Sequence, residues 1–455
     1  MKTFQSILIT LVLFLSGGFH SFSQTQSGPE GSWYCVLNIQ GMELKIAFHL
    51  STDGNEYSAT MDSPDQQAYG IPATSALYSN SIVKIWIDGA MIEYSGVYTG
   101  DKLMGTFKQG GASFPLNLSR RSFEVQKRPQ EPIKPYPYTS EEIYFANTQD
   151  SIVLAGTLSL PASGQIKAAV VMISGSGIQN RDSEIMGHKP FLVISDYLVR
   201  RGIAVLRFDD RGAGNSGGNP ALSTTKDYAR DVKAALNYLK GREELWGVKL
   251  GMIGHSEGGI IAPIVASEGD CAQFMVLLAA PAVCGSEIII KQQRLIASAS
   301  GVSGSELDSY EKISRELFDL TKNNIQSDNL LDIVSSFMKK NAPEESDSNI
   351  KAQARSIVNP WMLEFLFYDP LPALKKSVIP ALALNGEMDL QVSPDNLNII
   401  SEAYGNKDSI TIMKVDGVNH LFQSSATGLP SEYSKIEETF SEKVLKIIAE
   451  WILAL

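Results

Sequence analysis

One six-residue stretch limits what this chain can fold into more than any other: Gly254-His255-Ser256-Glu257-Gly258-Gly259. Before it, Val248 to Ile253 is short, apolar and β-prone; after it, Ile260 to Ser267 reads as an apolar helix. A strand that turns at once into a helix brings the two so close that a Cβ two residues either side of the serine would clash, and glycine removes it. The serine must take a strained backbone conformation, which projects its hydroxyl above the sheet. Taken alone, the pentapeptide also fits a glycine-rich helix entrance with an ordinary serine. The flanking strand and helix favour a nucleophile elbow of the form G-x-S-x-G.

The surroundings repeat that texture. From Glu141 the runs Glu141–Ala146 and Ile152–Leu160 look like an opening hairpin. Strands at Ala168–Ile173, Ile203–Phe208, Phe274–Ala279, Ala381–Asn385 and Ser409–Val415 then alternate with helices at Phe191–Arg201, Thr224–Lys240 and Tyr433–Leu455. Such alternation predicts an α/β fold, a doubly wound, mostly parallel sheet covered on both faces. It breaks between Cys284 and about Leu374, where Ile288–Ser298, Ser305–Leu320, Asn329–Lys339 and Ile350–Val358 read as amphipathic helices, followed by Trp361, Phe365, Phe367 and Tyr368. An insert after a strand's C-terminal end would lie over the serine as a helical cap, since ligand sites of open α/β sheets lie at that edge. A helical side domain away from the site is the alternative.

The chain has 455 residues, room for a companion domain. Residues 24–120 are expected to form it, as a smaller all-β N-terminal domain. Trp33–Ile39, Glu43–Leu50, Asn55–Met61, Ile82–Asp88, Met91–Tyr98 and Leu103–Phe107 are short β runs, separated by turn pairs such as Gln40-Gly41, Asp53-Gly54, Asp88-Gly89, Gly100-Asp101 and Gly110-Gly111. An up-and-down meander closed or nearly closed into a small barrel fits. Its expected role is structural or a substrate-side wall. Gly31-Ser32-Trp33 resembles a lipocalin start, and a dedicated ligand cup is the sharper alternative. Residues 121–138, with Pro129, Pro132, Pro135 and Pro137, read as an extended, semi-rigid linker, and 139–455 as the catalytic domain with a cap at about 284–374.

Met1 to about Ser23 reads as a secretory signal peptide: Lys2, an apolar core from Ile7 to Leu15 too short to span a bilayer, then Ser21-Phe22-Ser23 at the cleavage positions. The expected location is secreted or periplasmic, without stable membrane insertion after signal removal; an uncleaved anchor is the alternative. The formal net charge of -11 argues against nucleic acid and anionic lipid as partners. Cys35, Cys271 and Cys284 leave at least one thiol unpaired, and neither sequence nor spacing compels a Cys271–Cys284 bridge. Nothing suggests a metal site.

A serine hydroxyl needs a base, and the base an orienting acid. After signal removal the histidines are His49, in the β-rich part; His188, before the first core helix; His255, whose side chain diverges from the serine's; and His420, on a loop after the last predicted strand. Position favours His420. The acid should follow an intervening strand, where Glu387 and Asp389 both qualify. The oxyanion needs N–H donors: Glu257, after the serine, and Ser176, in the Ser174-Gly175-Ser176-Gly177 loop after Ala168–Ile173.

From about residue 141 to the end the chain resembles an α/β-hydrolase. Ser174 to Gly177, Asp209-Asp210-Arg211-Gly212-Ala213-Gly214-Asn215-Ser216, Gly254 to Gly259, Gly386 to Asp389 and Asn419-His420-Leu421-Phe422-Gln423 stand in the family's order. They are similar in particular to bacterial carboxylesterases with a β-rich N-terminal domain. The resemblance implies Ser256 as nucleophile, Asp389 as acid, His420 as base and Ser176 as the first oxyanion donor. One departure is that the His-Gly start of many family oxyanion loops is Ser174-Gly175 here; Gln179-Asn180-Arg181-Asp182 is expected to brace that loop. The expected activity is a serine carboxylesterase acting on a small-molecule acyl ester through an acyl-enzyme, with no metal or organic cofactor. Two rivals share the motifs: a prolyl-aminopeptidase-like peptidase, and a non-catalytic binding protein on a hydrolase scaffold.

Overall fold

A computed structural model describes residues 28–455 apart from 40–41, 55, 67, 110–111, 124–126, 163–164 and 270–271. The expected signal peptide, Cys271 and the Gln40-Gly41 and Gly110-Gly111 turns lie outside the described residues. The chain divides into two units: residues up to Lys127 with Ile185–Gly187 and Met338–Ala354, and all the rest.

The first unit alternates apolar and polar residues with period two. It forms strands β1 (Gly31–Ile39), β2 (Met42–Thr52), β3 (Tyr57–Ser63), β4 (Ala68–Pro72), β5 (Ser75–Ser79), β6 (Ile82–Ile87), β7 (Ile92–Tyr98), β8 (Lys102–Gln109) and β9 (Ala112–Ser119). All named pairings are antiparallel. β2 pairs with β3 as well as β1, so β1-β2-β3-β5-β6-β7-β8-β9 closes into an eight-stranded barrel, with β4 on the side of β3. One residue in two points inward, and the inward set is large and apolar: Trp33, Phe48, Ile85, Tyr94, Leu103, Phe107 and Leu118 are all buried. Even the polar tip inside is satisfied, for the Tyr94 hydroxyl donates to Leu103 O at 3.1 Å. The interior is thus packed with side chains.

The second unit opens with the expected hairpin, β10 (Thr139–Asn147) and β11 (Ile152–Leu160). β12 (Ala168–Ile173), α1 (Pro190–Val199), β13 (Ile203–Phe208), α2 (Thr225–Lys240), β14 (Lys249–His255), α3 (Gly258–Ser267) and β15 (Phe274–Leu278) follow. The insert supplies α4 (Gly285–Ala299), α5 (Gly304–Asn323), α6 (Leu330–Asn341), α7 (Asp347–Ile357), α8 (Pro360–Phe367) and α9 (Leu371–Lys376). The chain ends with β16 (Ala381–Gly386), α10 (Asn396–Ala403), β17 (Ile410–Val415) and α11 (Glu442–Ala454). The sheet order is β10-β11-β13-β12-β14-β15-β16-β17. From β12 through β13 to β17 the pairings are parallel. Every residue of β12, β13, β15 and β16 is buried, as a sheet covered on both faces requires.

Chain direction across the sheet reverses at β13: the β12–β13 crossover runs one way and the β13–β14 crossover the other. Right-handed crossovers then put α1 and α2 on opposite faces and open a crevice beyond the C-terminal ends of β12 and β14. The loop 174–177 leaves β12 at that crevice, and Ser256 leaves β14 there.

Two expectations differ. The last helix starts after Ser441, not at Tyr433; Tyr433 and Phe440 are buried instead as loop anchors. The proline-rich stretch is a spacer only in part. From Arg128 on it belongs to the second unit: Arg128 Nη1 donates to Ile436 O at 2.7 Å, and Gln130 brackets residues 439–440, donating to Phe440 O and accepting from Thr439 N at 2.6 Å. Prolines that leave a backbone extended also leave side chains free to take up a neighbour's unpaired carbonyls.

Candidate active site

Ser256 has φ +53°, a left-handed conformation that a non-glycine residue adopts only under constraint. The constraint is visible. Ser256 N donates to Leu278 O on β15 at 2.8 Å, and Gly259 N donates back to Ser256 O at 2.8 Å. A Cβ on Gly254 would sit 2.1 Å from Gly258 O, and one on Gly258 would sit 2.3 Å from Ile173 O. Both glycines are therefore required by close approach of strand, helix and loop. Glu257 caps the N-terminus of α3, so its N–H is among the four with no intrahelical acceptor.

The loops after β16 and β17 meet: Met388 N donates to Val418 O at 3.0 Å. Asn419 is fully buried and shapes its loop by accepting from Leu421 N and Gln423 N, both at 3.0 Å. This brings His420 Nδ1 to 2.8 Å from Asp389 Oδ2. The other carboxylate oxygen of Asp389 accepts from Gln391 N and Val392 N, each at 2.8 Å. Asp389 is 1% exposed and accepts from three donors. With Nδ1 donating to this carboxylate, the lone pair of a neutral His420 ring stands on Nε2. Glu387 lies elsewhere: its N–H continues the ladder to Val415 O, and its half-exposed carboxylate faces Lys414 at 3.5 Å.

The other histidines have different surroundings. His188 is fully buried, with Nδ1 3.0 Å from Thr439 Oγ1 and Nε2 2.8 Å from Tyr433 O. His49, in the barrel, links Ser32 Oγ at 2.7 Å to Asp62 Oδ2 at 2.9 Å. His255 donates from Nε2 to the His420 carbonyl at 2.9 Å, bracing the backbone of His420, a role that its place beside the serine does not announce. Burial and the nearby His420 ring push His255 down to about 3, against the pull of that bond, so it stays neutral.

On the other side stands the loop 174–177. A Cβ at Gly175 would come within 3.2 Å of Ser256 Cβ, so glycine lets this backbone approach the serine. Ser174, where family loops begin with histidine, donates its hydroxyl to Asp210 Oδ1 at 2.7 Å, and Gln179 N donates to Oδ2 at 2.9 Å. Asp210 thereby clasps both ends of the loop. Burial pushes its carboxyl up to about 8, against the pull of those two bonds. Next to it, Asp209 takes Arg181 through Nε at 3.1 Å and Nη2 at 2.7 Å. Arg181 is thus tied to Asp209, Glu142 and Thr157 rather than to the loop itself. Gln179 adds a bond from Nε2 to Ser176 O at 3.3 Å.

Sequence reasoning assigned Glu257 a backbone N–H only. Its side chain is buried as well, and accepts from Thr225 Oγ1 at 2.6 Å, from Trp361 Nε1 at 3.0 Å to each oxygen, and from the Ser176 hydroxyl. Burial raises this carboxyl above the usual range. Trp361 lies in the first turn of α8, so the end of the insert reaches the elbow. Among the described residues no group of three or more His, Cys, Asp or Glu is placed to hold a metal ion, and no helix is long and apolar enough to cross a membrane.

The family model described as serine aminopeptidase, S33, matches residues 189–422. The esterase EstD of Thermotoga maritima is 26% identical over 303 residues, which cover 66% of this chain and 65% of that protein, just under two thirds of its length. Among solved structures, an esterase of Pyrococcus furiosus aligns with TM-score 0.41 at 15% identity, covering 73% of this chain and all of that one. A proline iminopeptidase of Mycobacterium smegmatis aligns with TM-score 0.41 at 12% identity, covering 69% and 97%.

Proposed function

The chain belongs to the serine aminopeptidase S33 family of α/β-hydrolases, and from that premise we propose that it is a serine hydrolase cleaving carboxylic esters. Ser256 attacks the ester carbonyl while His420 Nε2 takes its proton. The N–H groups of Glu257 and Ser176 receive the developing oxyanion. Asp389 holds the Nδ1 tautomer and stabilises the imidazolium. His420 then protonates the leaving alcohol, and water activated by the same nitrogen releases the acid from the acyl-enzyme.

The observation that carries this reading is the 2.8 Å contact of His420 Nδ1 with Asp389, at the edge of the same sheet whose strand β14 ends at a strained Ser256. The proposed ligand is a neutral acyl ester, and export to the periplasm or beyond is part of the proposal through residues 1–23.

Labelling by a fluorophosphonate followed by mass mapping tests the nucleophile. A panel of short and long acyl esters, aryl esters and aminoacyl amides tests the substrate class. Faster turnover of aminoacyl amides than of esters would replace the esterase by a peptidase. A chain that neither reacts nor turns over any of them would be a binding protein.

A further inference from the structure

The backbone of Glu257 has a role in the reaction proposed above; its side chain has none, yet it is 2% exposed. Burying a carboxylate is costly unless every lone pair is satisfied, and an apolar residue of similar volume would pack there at lower cost. The three donors that satisfy it come from three different walls of the site. Thr225 is the first residue of α2, Ser176 belongs to the loop after β12, and Trp361 sits in the first turn of α8. The indole plane of Trp361 is fixed a second time by stacking on Phe365, with centroids 5.6 Å apart and planes at 13°. A second link joins the same two helices nearby: Lys226 N donates to Glu364 Oε2 at 3.3 Å, beside the Lys226–Glu364 ion pair. One carboxylate on the turn of the serine thus registers the oxyanion loop and the cap together.

We propose that the Glu257 side chain is a positioning residue for acyl transfer: it holds Ser176 and helix α8 in register with the Ser256 turn. Its loss slackens the oxyanion donors without removing either of them. The proposal rests on Ser256 being the nucleophile. Removing an oxyanion donor outright costs about 10²–10³ in kcat, so misplacing donors that are still present should cost less than the upper figure.

The test is a mutant cycle read on a short-chain aryl ester. Glu257→Leu is expected to lower kcat about 10²-fold with KM within about threefold, because the interaction acts in the transition state. Glu257→Gln keeps an acceptor for Trp361 and a partner for Ser176, and should recover kcat to within about tenfold of wild type. Trp361→Phe keeps the stack on Phe365 but removes the indole donor, and should cost about tenfold. In combination with Glu257→Leu it should add nothing, since both changes break one link. All variants should still take one fluorophosphonate per chain at Ser256, more slowly than wild type, because the phosphonyl oxygen occupies the same donors. If Glu257→Leu fails to fold, Glu257→Gln and Trp361→Phe carry the test alone. A kcat within twofold of wild type in both Glu257→Leu and Trp361→Phe, or strictly additive losses, would overturn the proposal while Ser256 labelling left the esterase reading intact. A wild-type chain that hydrolyses esters with Ser256 unlabelled, and retains activity as Ser256→Ala, would instead remove the premise.

Discussion

Each unit of this protein holds a histidine against an aspartate, with a serine to compare beside each pair. In the barrel, Ser32, His49 and Asp62 stand on the adjacent strands β1, β2 and β3, with Ser32 directly across from His49, and a hydrogen bond joins each successive pair. In the α/β unit, Asp389 and His420 share a hydrogen bond and Ser256 stands at the end of β14. The hydrogen-bond chain is more complete in the barrel. What the barrel lacks is everything around it. Ser32 lies in a regular antiparallel ladder, so its backbone has strand partners, and among the described residues no helix starts beside it. Ser256 has a positive φ, a helix N-terminus one residue on, and Gly175 pressed against its Cβ. A polarised hydroxyl without donors for an oxyanion is a structural clip; the stabilised charge makes a site.

The sharpest way to break that comparison is to remove each serine. Ser256→Ala should lower kcat by roughly 10⁴-fold or more on a folded chain, and Ser32→Ala should change it less than twofold. Mass mapping after fluorophosphonate should find label on Ser256 alone; label on Ser32 would make the barrel a second reactive centre.

The acids come next. Asp389→Asn should cost about 10²–10⁴ in kcat, whereas Glu387→Gln should cost less than about tenfold. Steady-state kinetics of the two purified variants at one pH decides. A crippled Glu387→Gln beside a nearly normal Asp389→Asn would move the acid two residues back.

A smaller effect concerns Asp210, whose carboxyl is raised to about 8 by burial. An unfolded aspartate releases its proton near ~4. Between roughly pH 4 and 8 the folded chain therefore holds a proton that the unfolded chain has lost. This group's contribution to stability is complete below that window and falls as pH rises through it. Asp210→Asn can still accept from Gln179 N and donate to Ser174 Oγ, without that slope. Thermal melts at pH 5 and pH 8 should show Tm of the variant gaining on wild type by about several degrees across the window. A gap that does not change with pH would place the proton elsewhere.

The smallest effect returns to the barrel. His49→Ala should lower stability by about 1 kcal/mol, the ordinary worth of a part-exposed hydrogen bond, and leave kcat within twofold. Urea midpoints and kinetics on the same sample measure both.

Legibility followed the same division. The buried strands of the parallel sheet announce themselves because both faces are covered and the whole run is apolar. β9 was not legible, since Pro115 interrupts Ala112–Ser119; β5 was not, because Ser75–Ser79 keeps no residue fully buried. α10 is eight residues long and hides mainly Leu397 and Ile400 among its apolar residues, too little for a periodic signal. Tyr433, Ile436 and Phe440 have helical spacing, yet they serve a loop that packs around His188 and the residues after His420. Glu387 and Asp389 could not be told apart from residue type; strand register separates them, because the N–H of Glu387 still belongs to the ladder beside β17. The side-chain roles of Glu257 and His255 depend on partners far off in the chain, Trp361 and His420 among them, which no local pattern encodes.

The grip of Gln130 on residues 439–440 bears on how such a chain could exchange its front module. Ser441 N donates to Phe422 O at 2.7 Å, two residues beyond His420, so the path from Gln130 to the His420 loop is short. A recombination junction placed before Arg128 would swap one barrel for another and leave that loop as it stands. A junction at Tyr138 would carry the clasp away with the discarded module, and the inherited catalytic half would arrive with the neighbour of its histidine undone.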